Sequence, residues 1–317
     1  METTSARKNR SRSQPTPSGK RTQITEHDIF GIFEPLSRHS QLTTKQLVAF
    51  DRRYASKTRN RLTDLFHESG DWLERMSEGI KLANHLSMDE MYRLGVDAED
   101  LLLARSILPS DEWARAVRIG GRSKTPSRII RLAHDHMASD VVLDIEIGAR
   151  AAPDTRFVNH IDLIKAAPEK TQNLKNPLRI PVPPIPDAPK WIEPDAIFGI
   201  DDRFYFLEAD MGTESIEPVI KGKIRAYREI VATYVIDDHL GIDNARVLFV
   251  TTNEKRKRNI MKAAASIAPS GRSRLFAFAC RPDLGDFRHA PAPTGRMFME
   301  PWQRAGFDDL FLNRKEG

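Results

Sequence analysis

Pro194-Asp195-Ala196-Ile197-Phe198-Gly199-Ile200-Asp201-Asp202-Arg203-Phe204-Tyr205-Phe206-Leu207-Glu208-Ala209-Asp210 decides the fold of the C-terminal half. Two apolar runs flank Asp201-Asp202, and aspartate favours turns. With a two-residue turn there, Ile200 faces Arg203, and Asp195 falls opposite Glu208. Directly opposed residues hold their Cβ atoms about 4.5–5.5 Å apart, where two like charges repel. The pair is tolerable if one acid is protonated or both share a cation. Glu208 and Asp210 are two apart and leave the strand on the same face. Three carboxylates, Asp195, Glu208 and Asp210, therefore converge at one end of a hairpin. Such an oxygen-rich set suits Mg2+ or Mn2+. A bulge would slip this register by one.

Outward from the hairpin, strands are expected at Asp195–Ile200, Arg203–Asp210, Arg246–Thr251 and Arg274–Ala279. Helices are expected over about Ile216–Ile236 and Glu254–Ile267. The first of these has an apolar face of Ile220, Ile224, Tyr227, Val231 and Tyr234. Lys223 is i,i+4 with Tyr227, at the edge of that face, where its ammonium can reach back to the carboxylates. Lys221 faces solvent, and Glu214 and Glu217 complement the helix dipole. Alternatively, the acids simply form ion pairs with Lys221, Lys223 or Arg225. Seven of the 20 prolines fall in residues 176–194, an extended polyproline-like lead-in to the sheet. Before it, an amphipathic helix runs from about Pro126 to near Ala151. Its His134 and His136 are two apart, face different sides and read as structural. His160, His239 and His289 show no ligand spacing. Cys280, in an apolar strand, is expected to be buried and inert.

The N-terminal half reads differently. Thr25 caps a helix bearing Ile29, Phe30, Ile32, Phe33 and Leu36. Thr43 or Thr44 caps a second helix through Phe50, which carries Lys45. Ser56 caps a third, with Leu62, Leu65 and Phe66 inside and Lys57, Arg59, Asn60, Arg61 and Thr63 outside. Trp72–Arg75 and Met88–Leu94 read as two strands of a wing. Three short helices and a strand pair make a winged helix-turn-helix, whose third helix enters the major groove. The DNA-contacting set is then Lys45, Lys57, Arg59, Asn60 and Arg61. The competing reading is a helical bundle with a basic surface.

The 317 residues are 40% hydrophobic and 29% charged, enough for two domains with buried cores. No apolar run is long enough to span a bilayer, and the basic N-terminus has no h-region of a secretory signal. One cysteine excludes an internal disulfide framework and a cysteine-cluster zinc site. A cytoplasmic location is expected. The net charge is +5 at pH 7. Residues 1–22 hold six Lys or Arg against Glu2 alone, so the rest is neutral overall. Yet residues 37–61 set seven Lys or Arg against Asp51, and residues 113–133 carry six and no acid. Phosphate backbones attract such clusters. The expected organisation is a disordered basic tail (1–22), a winged helix-turn-helix (23–96), a connector (97–125), a mixed sheet flanked by helices (126–284) and a C-terminal extension (285–317).

Pro194-Asp195, then Glu208-Ala209-Asp210 ending the next strand, then a helix with lysine, resembles the PD-(D/E)xK nuclease core. That resemblance implies catalytic Asp195 and Glu208, a metal held by Asp195, Glu208 and Asp210, and a lysine assisting a water nucleophile. Asp210 stands where the superfamily places its lysine, and Lys223 on the following helix is the substitute. Glu146 is a further candidate from the preceding helix. Leu42-Thr43-Thr44-Lys45-Gln46-Leu47, the Arg59–Leu65 helix, Pro194–Phe198 and Phe206–Ser215 together resemble the replication-relaxation family of plasmid-associated bacterial proteins. The likeness covers about residues 25–255. It implies an α+β/α/β two-domain chain: a DNA-binding winged helix joined to a PD-(D/E)xK-like domain. The implied partners are double-stranded DNA and plasmid replication or mobilisation proteins, with no membrane. Two functions follow. One is a DNA-binding replication or mobilisation protein with a Mg2+- or Mn2+-dependent endonuclease half. The other is a non-catalytic regulator that binds DNA and partner proteins, which Asp210 in place of lysine favours.

Overall fold

The computed structural model describes residue 11 and residues 13–75, 89–120 and 128–314. The chain divides into two compact units, residues 1–111 and 112–317. No helix among the described residues is long and apolar enough to cross a membrane.

In the first unit a helical run, α1, passes from Glu26–Asp28 through a π-helical turn, Ile29–Phe33, to Glu34–Arg38. Thr25 starts it with a capping box: its hydroxyl accepts from the Asp28 N–H, and the Asp28 carboxylate accepts from the Thr25 N–H. Thr43 and Gln46 repeat the device at the start of α2, Thr44–Asp51. A third helix, α3, spans Ala55–His67. Ile29, Ile32, Phe33, Leu36, Leu47, Leu62 and Leu65 from the three helices are fully buried. Strands β1 (Leu42–Thr43), β2 (Leu73–Arg75) and β3 (Met91–Leu94) form an antiparallel sheet with β3 in the middle. Helix α4, Val96–Ala104, follows within the same unit, where a connector was expected. Residues 76–88 lie outside the described residues, and so does Met88 of the expected wing strand.

The tail differs from expectation where it is described. Thr16 N–H donates to His67 Nδ1, Ser18 donates to Glu68, and Lys20 reaches Asp64 at 2.9 Å. The acids at the end of α3 are mostly buried, and such acids need partners. Residues 13–22 are therefore bound along α3. Residues 1–10 and 12 lie outside the described residues.

The second unit is built on a seven-stranded mixed sheet in the order β12-β11-β10-β9-β8-β7-β4. These strands are β4 (Phe157–Val158), β7 (Ala196–Ile200), β8 (Arg203–Asp210), β9 (Arg246–Thr251), β10 (Phe276–Cys280), β11 (Trp302–Arg304) and β12 (Phe307–Leu310). β8, β9 and β10 run parallel and the other pairs antiparallel. Long helix α5, Arg128–Ala151, covers one face. Its Met137, Val141 and Ile145 share a core with Phe198, Tyr205, Leu207, Leu248 and Val250. Gly148 of α5 has to be glycine, because a Cβ there would come within 2.7 Å of the Gly295 carbonyl oxygen. Strand alternation turns Phe206, Glu208 and Asp210 to the other face. There lie α6, Lys221–Ala232, and α7, Glu254–Ile267, with the Tyr227 ring 5.6 Å from that of Phe206. Pro126, expected at the start of the long helix, is outside the described residues.

The hairpin has the expected register, from Ile200 opposite Arg203 to Ala196 opposite Leu207. Asp201 takes a left-handed φ of 57° and accepts a bond from the Arg156 N–H, which makes the turn workable without Asn-Gly. Asp195 precedes β7 instead of starting it. The proline-rich lead-in contains a strand pair, β5 (Ile180–Pro181) and β6 (Trp191–Ile192). The helix expected through Ile236 breaks at Tyr234, whose φ of 59° puts it outside helical geometry and leaves it 72% exposed. Cys280, at the end of β10, is half-buried. The C-terminal extension adds β11 and β12 to the sheet edge.

Candidate functional site

In the first unit, Lys57, Arg59 and Asn60 emerge exposed from the first turns of α3. Arg52 ends α2 in a left-handed conformation and is also exposed. Tyr54 is 79% exposed, with the Lys57 ammonium over its ring. The one acid of α3, Asp64, is buried and taken by Lys20, so the outer side of the first turns is purely basic. Lys45 on α2 lies 4.0 Å from Asp89. Arg61 is placed otherwise: its Nε and Nη2 bind the two oxygens of Asp28 at 2.8 and 2.6 Å, and Nη2 also donates to the Gln23 carbonyl. Burial pushes the Asp28 carboxyl up, but Arg61 and Thr25 outweigh it and hold the carboxyl below its ordinary range.

In the second unit, the end of the hairpin gathers Asp195, Glu208, Asp210 and Lys223. Glu208 is 3% exposed. Its Oε1 accepts from the Tyr227 hydroxyl at 2.6 Å and its Oε2 from Lys223 Nζ at 2.9 Å. Lys223 also meets Glu214 at 3.0 Å. The i,i+4 spacing of Lys223 and Tyr227 brings both onto Glu208 from one side of α6. Asp195 lies just past the ladder. Its N–H donates to the Leu207 carbonyl, and its carboxylate accepts from the Ala209 N–H at 2.8 Å. From α5, His134 Nε2 reaches the same Asp195 oxygen at 3.4 Å. Asp210 is bound by Arg256, with bonds of 2.7 and 2.9 Å. Lys221 pairs with Glu217, and Glu146 with Arg150 at 2.7 Å. Glu146 thus has a neighbour on its own helix.

Burial raises the Glu208 carboxyl, and Asp195 adds to that; Lys223 and Tyr227 only partly offset it. Burial also works against the Lys223 charge, but Glu208, Glu214 and Asp195 outweigh it and keep the ammonium protonated. Burial pushes Asp195 up as well, yet the His134 imidazolium and Lys223 hold it down to about 2. His134 is driven down by burial and raised more strongly by Asp195 and Asp135, to about 10. His136, buried and stacked on Phe287, falls to about 4 through burial.

A divalent cation needs several carboxylate oxygens turned to one point. Here both oxygens of Glu208 and both of Asp210 are engaged by cations or a hydroxyl, and Asp195 faces His134. Among the described residues, no group of three or more His, Cys, Asp or Glu is placed to hold a metal ion. Each of the three acids already has a cation beside it: Lys223 acts on both Glu208 and Asp195, His134 on Asp195 and Arg256 on Asp210.

Sequence reasoning missed His134, Glu214 and Arg256 as members of this cluster. Arg256 had a signal: β9 runs parallel to β8, so the first turn of the helix after β9 comes over the end of β8, where Asp210 lies. Asn253 caps that turn and fixes its direction. His134 had none, because the meeting of α5 with the end of β7 is purely tertiary.

Residues 33–244 match the family model described as replication-relaxation. No curated protein and no solved structure matches the chain.

Proposed function

Since the chain belongs to the replication-relaxation family, we propose that it grips double-stranded DNA through α3 and serves the replication or mobilisation of a plasmid or mobile element. The observation that carries this reading is the exposed basic side of α3, with Lys57, Arg59 and Asn60 outward and Asp64 inward. Three helices and an antiparallel sheet whose first strand precedes the second helix support a winged-helix docking mode, with α3 in the major groove. Cations at its first turns then contact phosphates, and Asn60 lies where a side chain reaches base edges.

The second unit is, on this reading, a non-catalytic clamp or a surface for replication or mobilisation proteins. The two-bond hold of Arg256 on Asp210 favours it over the nuclease reading, because one of the three expected metal ligands is already neutralised. A Mg2+- or Mn2+-dependent nuclease keeps one observation in its favour: Glu208 and Lys223 touch, and Asp195 lies within the same charge cluster.

Incubation of supercoiled plasmid with Mg2+ or Mn2+ separates the two readings. Wild type and Glu208→Ala are expected to leave the plasmid intact. Nicking by wild type that Glu208→Ala abolishes would establish the nuclease. Binding of a labelled duplex, weakened by Lys57→Ala with Arg59→Ala, tests the DNA contact itself.

A further inference from the structure

Between Lys255 and Pro282 the chain carries eight Lys or Arg and no Asp or Glu. Three of these cations are used inside the second unit: Arg256 on Asp210, Lys257 on Glu254 and Arg281 on Asp283. The other five, Lys255, Arg258, Lys262, Arg272 and Arg274, are exposed. None is within ion-pairing distance of a carboxylate among the described residues. A solvated helix face ordinarily mixes both signs, and acids at i,i+4 would stabilise it. Here Glu254, four residues before Arg258, is the one acid of the helix, and Lys257 binds it at 2.9 Å.

At about 100° per residue, Lys255, Arg258, Asn259 and Lys262 fall on one stripe of α7 about 100° wide. The stripe is about 10 Å long at 1.5 Å per residue, which matches on the order of three phosphates of one duplex strand. Beyond the helix, the Arg272 and Arg274 guanidiniums sit 4.4 and 4.9 Å from the centre of the Phe307 ring. The ring positions both groups without neutralising them. All five cations also lie outside residues 33–244, the stretch that the family model matches.

We propose that the exposed stripe of α7 is a second phosphate-backbone contact surface, with Arg272 and Arg274 as further contacts, used in addition to α3. Its occupant is nucleic acid, because the α7 stripe sets Lys255, Arg258 and Lys262 at phosphate spacing around Asn259 with no apolar side chain among them, which fits a polyanion. A protein partner would call for a buried aromatic or aliphatic anchor.

The test uses the full chain and a labelled duplex, with the dissociation constant followed by fluorescence anisotropy across a salt series. Lys255→Ala with Arg258→Ala and Lys262→Ala should lower the salt slope by about 2–3, since each phosphate contact contributes about 0.9. Affinity at low salt should fall at least tenfold, with an unchanged circular dichroism spectrum. Arg272→Ala with Arg274→Ala should lower the slope by a further 1–2 or so. A slope and affinity equal to wild type in both variants overturns the proposal and leaves an acidic protein surface as the partner of this face. The α3 variants, run in parallel, separate the two readings. Loss with Lys57→Ala and Arg59→Ala alone sinks the second surface, and loss with the α7 variants alone sinks the α3 contact.

Discussion

Arg61 and Asp28 are joined by two parallel bonds, and the carboxylate they bury is 0% exposed. Two residues away, Arg59 is exposed and has no acidic partner among the described residues. The same residue type on the same helix therefore does two different jobs. Arg61 ties α3 to the start of α1, and Arg59 faces outward.

The first prediction follows from that contrast. Arg61→Ala leaves a buried carboxylate without its main partner, which costs about 3–5 kcal/mol. Arg59→Ala, at an exposed site, changes stability by about 0.5 kcal/mol or less. Urea denaturation of the two variants measures both. Equal midpoints would mean that Asp28 does not depend on Arg61.

Arg256 and Asp210 stand in the same relation in the second unit. Arg256→Ala should destabilise by about 3–5 kcal/mol, because it takes from the buried Asp210 side chain its two-bond partner. Asp210→Asn combined with Arg256→Met removes both charges and should recover much of the loss. If the double variant is as unstable as Arg256→Ala, the pair is not the source of the effect.

Metal binding gives a third prediction. Isothermal calorimetry of wild type with Mg2+ or Mn2+ should show no saturable heat, since the cluster acids are already bound by cations or hydrogen-bond donors. Stoichiometric uptake that Glu208→Gln removes would restore the nuclease reading.

The fourth concerns pH. His134 is held up to about 10 from its ordinary 6.5, and Asp195 down to about 2 from 3.8. The histidine's contribution to stability is full below 6.5 and is lost as pH rises towards 10. The aspartate's is full above 3.8 and is lost as pH falls towards 2. The stability difference between wild type and His134→Gln should therefore be greatest from about pH 4 to 6.5 and shrink above that. A difference that stays constant from pH 5 to 9 would show that the two side chains are not coupled.

Local rules carried much of this structure. Turn chemistry and alternation placed the hairpin register from Ile200 to Ala196, and the capping residues Thr25 and Thr43 began their helices as expected. Lys223, at the edge of the apolar face, was expected to reach back to the carboxylates and meets Glu208, whereas the bond from Tyr227 to Glu208 was not foreseen. What escaped was tertiary. Nothing local to Asp210 announces Arg256, which arrives after a parallel crossover. Nothing local to Asp195 announces His134, which arrives from a helix sixty residues earlier. The expected metal site depended on three acids having no other partners, and that condition is set by the elements packed around the hairpin. Tyr234 looked apolar in pattern, but a left-handed residue between the helices Lys221–Ala232 and Val235–Leu240 cannot continue either one.

The account stands chiefly on the outer side of α3, and the salt dependence of duplex binding tests it most directly. Replacing Lys57 and Arg59 together by alanine should reduce the slope of log K against log salt by about 2, with the fold unchanged by circular dichroism. An Arg61→Ala chain, measured below its unfolding transition, should keep the wild-type slope. If the Lys57 and Arg59 double variant binds with wild-type slope and affinity, α3 does not hold DNA, and the central claim is wrong.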